Sequence, residues 1–294
     1  MKNLRSLSAV FLSLLLCAIC VVPFLYVLIA SFKALDGEFT LKYYYEVFVG
    51  QSQYLFRFWK SMALSICISL GQVVLSALAG YGFAKYKFKG KNVLFFILII
   101  LMILPLQVTL IPNYVILEKF NMINTYFSLI LPALVVPLGT FIMTQSYKAI
   151  PNSVIDAARL DGCRLFEVLL KVVIPISKNA LICTFLLSFL DAWNMVEQPI
   201  TYLGEFTKYP IAVALASVPP GDPTVLLVAC VLVTIPPLCL FAFFKAEVII
   251  FCLQINKRKN KLVLYHLPEN SCHFISIHLN KWCSHFNFFH NCHP

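Results

Sequence analysis

Hydrophobic positions along the chain gather into six long stretches, roughly residues 7–32, 61–84, 93–117, 127–147, 180–200 and 224–244. Each is long enough to cross a hydrocarbon layer about 30 Å thick, which takes about 20 residues of helix. Five of the six hold no Asp, Glu, Lys or Arg, and the fifth in order holds Asp191 and Glu197. The pattern predicts an all-α, polytopic membrane protein with six transmembrane helices. It also divides the chain into a first helix and external segment (1–60), a core of five helices (61–250) and an atypical C-terminal tail (251–294).

Between the fourth and fifth stretches lies a long patterned connection, 148–179. Pro151 and Asn152 end the fourth span, and Ser153 stands three residues before Asp156, the spacing of a capping box. A short helix is expected from about Val154 to Gly162, a residue able to turn the chain through a left-handed conformation. A second amphipathic helix follows, with Leu165, Phe166, Leu169, Leu170 and Val173 on one face, until Pro175. The expected result is a helix-turn-helix lying at the membrane surface.

Composition strengthens the membrane reading. With 60% of residues apolar and 12% charged, the chain has too little polar surface to cover a soluble globule. Charge then sets orientation. If the N-terminus is cytoplasmic, the inner segments hold 16 of the 23 Lys and Arg residues and the outer ones 6, with Lys281 in the distal tail. That bias places both termini inside. It accounts for the net charge of +10 through anionic lipid, without nucleic acid. The first apolar stretch, at about 26 residues, is too long for a signal-peptide core and is read as a retained helix. Its Cys17 and Cys20 read as small apolar residues rather than a redox or metal pair.

The loop 148–179 resembles the shared cytoplasmic signature of the permease subunits of ATP-binding-cassette importers: EAA, three residues, Gly, nine residues, then I-x-L-P. Here the residues are Asp156-Ala157-Ala158, then Gly162, then Val172, Ile174 and Pro175 after nine residues, with the spacing intact. Asp replaces Glu at 156, Val replaces Ile at 172 and Ile replaces Leu at 174. Further segments are similar to the carbohydrate-uptake permeases of the maltose and multiple-sugar type. They are SMALSICISL and ALAGYGFAKYKFKGK within Ser61–Lys91, Pro112-x-Tyr114, INTYFSLILP from Ile123 to Pro132, Ile150-Pro151 and Trp193-Asn194. The similarity covers about residues 55 to 245.

The resemblance implies the transmembrane domain of a type 1 importer in the cell membrane. This chain would be half of a heterodimer with a second permease subunit, served by two ATPase subunits and an external solute-binding protein. No GxxxxGK[ST] phosphate loop occurs in the chain, so it is expected to be a transport subunit without its own ATPase site. ATP and Mg would be used by the partner ATPases, with no cofactor and no metal bound by this chain. The paired alanines of the loop would let a short helix sit in a cleft of the ATPase, with Asp156 capping it or meeting a basic group.

Asp191, Asn194 and Gln198 recur at i, i+3 and i+7, which places them on one helical face, with Trp193 beside them. Two readings of this stripe stand together: it lines the solute path, Trp193 offering an aromatic surface to a pyranose ring, or it bonds to neighbouring helices. Gln72, Gln107 and Gln145 read as interhelical hydrogen-bonding groups. Tyr43, Tyr44, Tyr45, Phe56 and Trp59 suit an interfacial belt. All six histidines and Cys272, Cys283 and Cys292 fall in the tail at spacings that fit no closed zinc motif, so the tail reads as a nonessential or frame-shifted extension. A gradient-driven carrier is the main competing class. It needs charges or broken helices spread over several spans, and here the charges are confined to one.

Overall fold

The computed structural model describes residues 2–33, 39–45, 47, 52–216 and 223–262. The tail histidines and cysteines, and residues 217–222 of the turn-rich loop after Tyr202, lie outside them. The described chain is helical: α1 Lys2–Ser31, α2 Lys42–Tyr45, α3 Ser52–Lys85, α4 Lys91–Ile103, α5 Leu106–Lys119, α6 Phe127–Leu134 and α7 Pro137–Lys148 come first. They are followed by α8 Asn152–Leu160, α9 Leu165–Val168, α10 Ile174–Ile176, α11 Lys178–Trp193, α12 Glu197–Tyr202, α13 Ile211–Ala216 and α14 Pro223–Leu262. A π turn, Leu169–Val173, joins α9 to α10. Among the described residues the only strand-like pairing is an isolated bridge between Lys33 and Phe39.

Among the described residues, three segments are long and apolar enough to cross a membrane: Tyr54–Lys85, Phe127–Lys148 and Val225–Leu253. Counting each of two bent pairs as one span raises the total to five, and the described apolar part of α1, Leu15–Ser31, is shorter. Two of the six expected stretches are not single straight helices. The third stretch breaks between α4 and α5, which meet at 106°. Pro105 is the cause: it has no N–H for the helix ladder, and it forces Leu104 into extended backbone, at φ −64° and ψ 129°. The fifth stretch is interrupted after Trp193, where α11 ends, and the helix resumes at Glu197. In α12 Pro199 occupies the first turn, where no intrahelical donor is required. At the other end of the chain α14 runs through the boundary expected at residue 250 and reaches Leu262.

The chain divides into two compact units. One comprises Ile66–Pro112, Ile130–Ala192 and Cys239–Pro294. Its core gathers Ala77 and Tyr81 of α3, Met143 and Tyr147 of α7, Ile155 and Ala158 of α8, Val168, Leu169 and Val173 around the π turn, Ala180 and Cys183 of α11, and Phe251 of α14. Within it α3 and α7 approach closely because small residues let them, as in other membrane helix pairs. A Cβ on Gly80 would stand 2.7 Å from Met143 Cβ and 3.0 Å from the Thr144 backbone nitrogen, and one on Gly139 would collide with Ser76 Oγ.

The other unit comprises Met1–Ser65, Asn113–Leu129 and Trp193–Leu238. Here the orphan amide of Ile211 at the start of α13 donates to Ser61 Oγ at 2.8 Å, meeting the need of a helix N-terminus for an acceptor. Asn124, left-handed at φ 63°, is a hub: its N–H donates to the Tyr202 carbonyl at 2.8 Å and its Nδ2 to Glu205 Oε1 at 2.9 Å. Lys208 Nζ completes the clasp, donating to the Asn124 carbonyl at 3.1 Å and to Glu205 Oε1 at 3.0 Å. Tyr44 bonds to the Ser31 hydroxyl at 2.7 Å and stacks on Phe32, whereas Phe56 and Trp59 remain exposed.

Candidate functional site

The loop carrying the Asp156, Gly162 and Pro175 pattern folds as two short helices around a tight turn. α8 begins at Asn152, two residues earlier than the capping signal suggested, behind Pro151, and no side chain caps it. The predicted Ser153–Asp156 capping box is thereby overturned, since Asp156 falls in the second turn, beyond the free first-turn amides. The C-terminus of α8 is as expected. Gly162 adopts φ +87°, its N–H donates to the Arg159 carbonyl at 3.0 Å, and the Cys163 N–H donates to Ala158 at 3.1 Å. These two bonds complete a Schellman motif. A Cβ at Gly162 would meet nothing within 4 Å, so the glycine is required by its backbone angle rather than by space.

The second helical run, Leu165–Ile176, departs from the predicted face. Val168, Leu169 and Val173 are buried, as expected for the last two, but Phe166 is 65% and Leu170 60% exposed, and Leu165 is exposed as well. The π turn explains part of this. The Ile174 N–H reaches back five residues to the Leu169 carbonyl, and the wider turn rephases the side chains ahead of Pro175, which has no N–H to offer. Glu167 accepts the Arg164 N–H at 2.8 Å and pairs with Lys171 at 3.0 Å, and these bonds hold its carboxyl below the usual range. Ala158 packs inward, while Ala157, Asp156 and Leu160 (89% exposed) face outward. With Phe166 and Leu170 they give the loop an exposed apolar surface set between charged residues, the composition of a protein docking site. Val172 and Ile174 are half-buried against the core and Pro175 is exposed.

One side chain that sequence reasoning treated only as an inner positive charge belongs here too. Lys85, the last residue of α3, donates from Nζ to the Ile150 carbonyl at 2.6 Å and to Asn152 Oδ1 at 3.0 Å. No local pattern around residue 85 signals a partner 65 positions away.

The intramembrane stripe is not continuous. Because α11 ends at Trp193 and α12 begins at Glu197, no helical face joins Asp191 and Asn194 to Gln198. Trp193 is 1% exposed, edge-on to Phe58 at 5.6 Å, and its Nε1 donates to the Val233 carbonyl at 3.1 Å. In this structure Trp193 has no exposed aromatic face. Asp191 instead lies at a narrow crevice with Gln72 of α3, Gly139 of α7, and Thr184 and Ser188 of α11. Gln72 is only 4% exposed. Thr184 and Ser188 spend their protons on the Ala180 and Thr184 carbonyls, at 2.8 and 2.7 Å, and so present acceptor oxygens. Leu138, Ile142 and Leu187 complete the lining of the crevice around these polar groups.

Among the described residues, helices long and apolar enough to cross a membrane, with an exposed helix-turn-helix between them, have the make-up of a multi-pass membrane protein. The profile of the binding-protein-dependent transport system inner membrane component family matches residues 72–249, and the chain belongs to that family. The arabinooligosaccharides transport system permease protein AraQ of Halalkalibacterium halodurans is 29% identical over 243 residues, covering 77% of this chain and 87% of that one. The AraQ protein of Bacillus subtilis is 30% identical over 202 residues, covering 68% and 72%. The polygalacturonan/rhamnogalacturonan transport system permease protein YtcP of Bacillus subtilis is 26% identical over 260 residues, covering 79% and 90%. Among solved structures, a bacterial ABC transporter involved in the import of the acidic polysaccharide alginate superposes with a TM-score of 0.71 at 18% identity, covering 84% of this chain and 96% of that one.

Proposed function

We propose that this chain forms half of the translocation pathway of an ATP-driven sugar importer and couples it to ATPase subunits through the loop 148–179. The observation that carries the reading is the exposed edge of that loop. Ala157, Leu160, Phe166 and Leu170 are apolar, outward-facing and braced from behind by the Gly162 turn and the buried Val168, Leu169 and Val173. In this reading Asp156, Ala157, Ala158 and Gly162 form the arm that enters a cleft of an ATPase, and Val172, Ile174 and Pro175 anchor it. Both termini face the cytoplasm. A second permease subunit completes the pathway, an external binding protein delivers the solute, and two partner ATPases consume ATP with Mg. Closure of those ATPases moves α8 and rocks the spans between inward-open and outward-open states.

The solute is assigned from two supports. Relatives named for arabino-oligosaccharides and rhamnogalacturonan point to carbohydrate. Asp191, Thr184 and Ser188 are polar groups gathered at one crevice, and Asn194 and Gln198 are the further polar residues assigned to the pathway in this reading. Asp191, as a charge within a span, belongs against water or protein rather than lipid. The test is uptake into vesicles carrying the chain with its neighbouring permease, ATPase and binding protein, using arabino-oligosaccharides and galacturonate oligomers as probes. ATP-dependent uptake of either supports the proposal. Uptake driven by an ion gradient, with no ATPase co-purifying through the loop, overturns it.

A further inference from the structure

Lys85 joins three helices through one side chain. It closes α3, its ammonium donates to the Ile150 carbonyl just beyond α7, and it donates to Asn152, the first residue of α8. The junction it holds is short of backbone donors, because Pro151 between those two residues has no N–H. The grip is reinforced one turn earlier on α3, where Tyr81 packs in the same cluster as Ile155 and Ala158 of α8 and lies edge-on to Tyr147 of α7 at 6.2 Å. Lys87 and Lys89, the next basic residues, are exposed and make none of the described contacts to this junction. Half-buried and bonded to two acceptors, the ammonium is held where a freely solvated surface lysine is not.

The same stretch of α3 is the part that cannot slip against α7. A Cβ at Gly80 would press on the Met143 and Thr144 backbone, so the helices are in contact there without intervening side chains. A push on α8 therefore meets a rigid seat at Tyr81 and Gly80 and a directional, charge-assisted tie at Lys85.

We propose that Lys85 is a positioning residue for coupling: it passes displacement of α8 to α3 by fixing the junction between α7 and α8, touching neither solute nor nucleotide. The inference rests on the reading that the loop 148–179 receives movement from an ATPase. Arginine in its place keeps a cation able to reach both acceptors, whereas alanine leaves the Ile150 carbonyl and Asn152 untied.

The experiment uses the whole importer in lipid with Lys85→Ala, Lys85→Arg and Asn152→Ala, and takes two readouts. Amide hydrogen exchange over residues 150–162 is expected to quicken about tenfold in Lys85→Ala, the scale of losing a hydrogen bond to a charged group, and to return towards wild type in Lys85→Arg. Solute moved per ATP hydrolysed is expected to fall several-fold in Lys85→Ala with ATP hydrolysis retained, and to recover in Lys85→Arg. Unchanged exchange shows that the tie is absent. Quickened exchange at a wild-type transport ratio shows a purely structural lysine. Either result overturns the proposal. If Lys85→Ala fails to assemble, Asn152→Ala removes one bond only, and an unchanged ratio there overturns it equally. Absence of nucleotide-driven uptake in the wild-type importer instead defeats the importer reading itself, and the exchange readout still decides whether the tie exists.

Discussion

Trp193→Phe separates a hydrogen bond from the packing around it. Pro237 cannot donate to the carbonyl four residues earlier, so Val233 in α14 is left with an open acceptor inside a helix. Trp193 Nε1 fills that place at 3.1 Å, from an indole that is 1% exposed. Removing the donor from a buried carbonyl costs about 1–3 kcal/mol in soluble proteins. Side-chain bonds measured in membrane proteins average nearer to about 0.6 kcal/mol, because the unfolded chain finds other partners in the bilayer. The hydrogen-bond share of the loss is therefore expected at about 1 kcal/mol, with lost packing against Phe58 added to it. Pro237→Ala supplies the missing N–H, so Trp193→Phe in that background should cost about 1 kcal/mol less than in the wild type. Denaturant unfolding of the four proteins in mixed micelles gives the cycle. A coupling smaller than the roughly 0.5 kcal/mol scatter of independent sites would refute the assignment of Trp193 to the carbonyl freed by Pro237.

Three further outcomes follow from local geometry. Gly80→Ala should lower thermal stability by about 1–3 kcal/mol, since the new methyl meets backbone that cannot turn away, whereas Gly82→Ala, with nothing within 4 Å, should be neutral or gain about 0.5 kcal/mol from helix propensity. Gly162→Ala should cost about 1–2 kcal/mol of loop stability, read by hydrogen exchange over α8, and reduce uptake, while Gly162→Asn, which tolerates the left-handed angle, should cost less; equal effects would deny that φ is the constraint. Lys208 and Asn124 hold the Glu205 carboxyl below its usual range, so the stabilisation is present above the unfolded value of about 4.3 and is lost as pH falls through the lower folded value. Exchange over residues 203–208 should stay slow down to about pH 4 and quicken below it, and Glu205→Gln should remove that step.

What was legible in the sequence depends on the range over which each signal acts. The left-handed turn at Gly162 was readable because a glycine after an amphipathic run serves one local need, and Ala158, Arg159 and Cys163 supply its bonds within five residues. The apolar stretches were equally plain, because hydropathy over about 20 residues averages away local detail. That averaging also hides the break between α4 and α5, because Pro105 is a single residue that leaves mean hydropathy almost untouched while removing a ladder donor. Helical periodicity through Asp191, Asn194 and Gln198 assumes a ladder that in the structure stops at Trp193 and resumes at Glu197, and at that helix end the indole donates to the Val233 carbonyl. Lys85 lies beyond any local rule, because its partners at 150 and 152 are set by how α3 packs against α7, and that packing is written in Gly80, Ser76 and Gly139 rather than in the charge itself. The small residues that permit close approach are therefore the sequence feature from which a long-range tie of this kind is best sought.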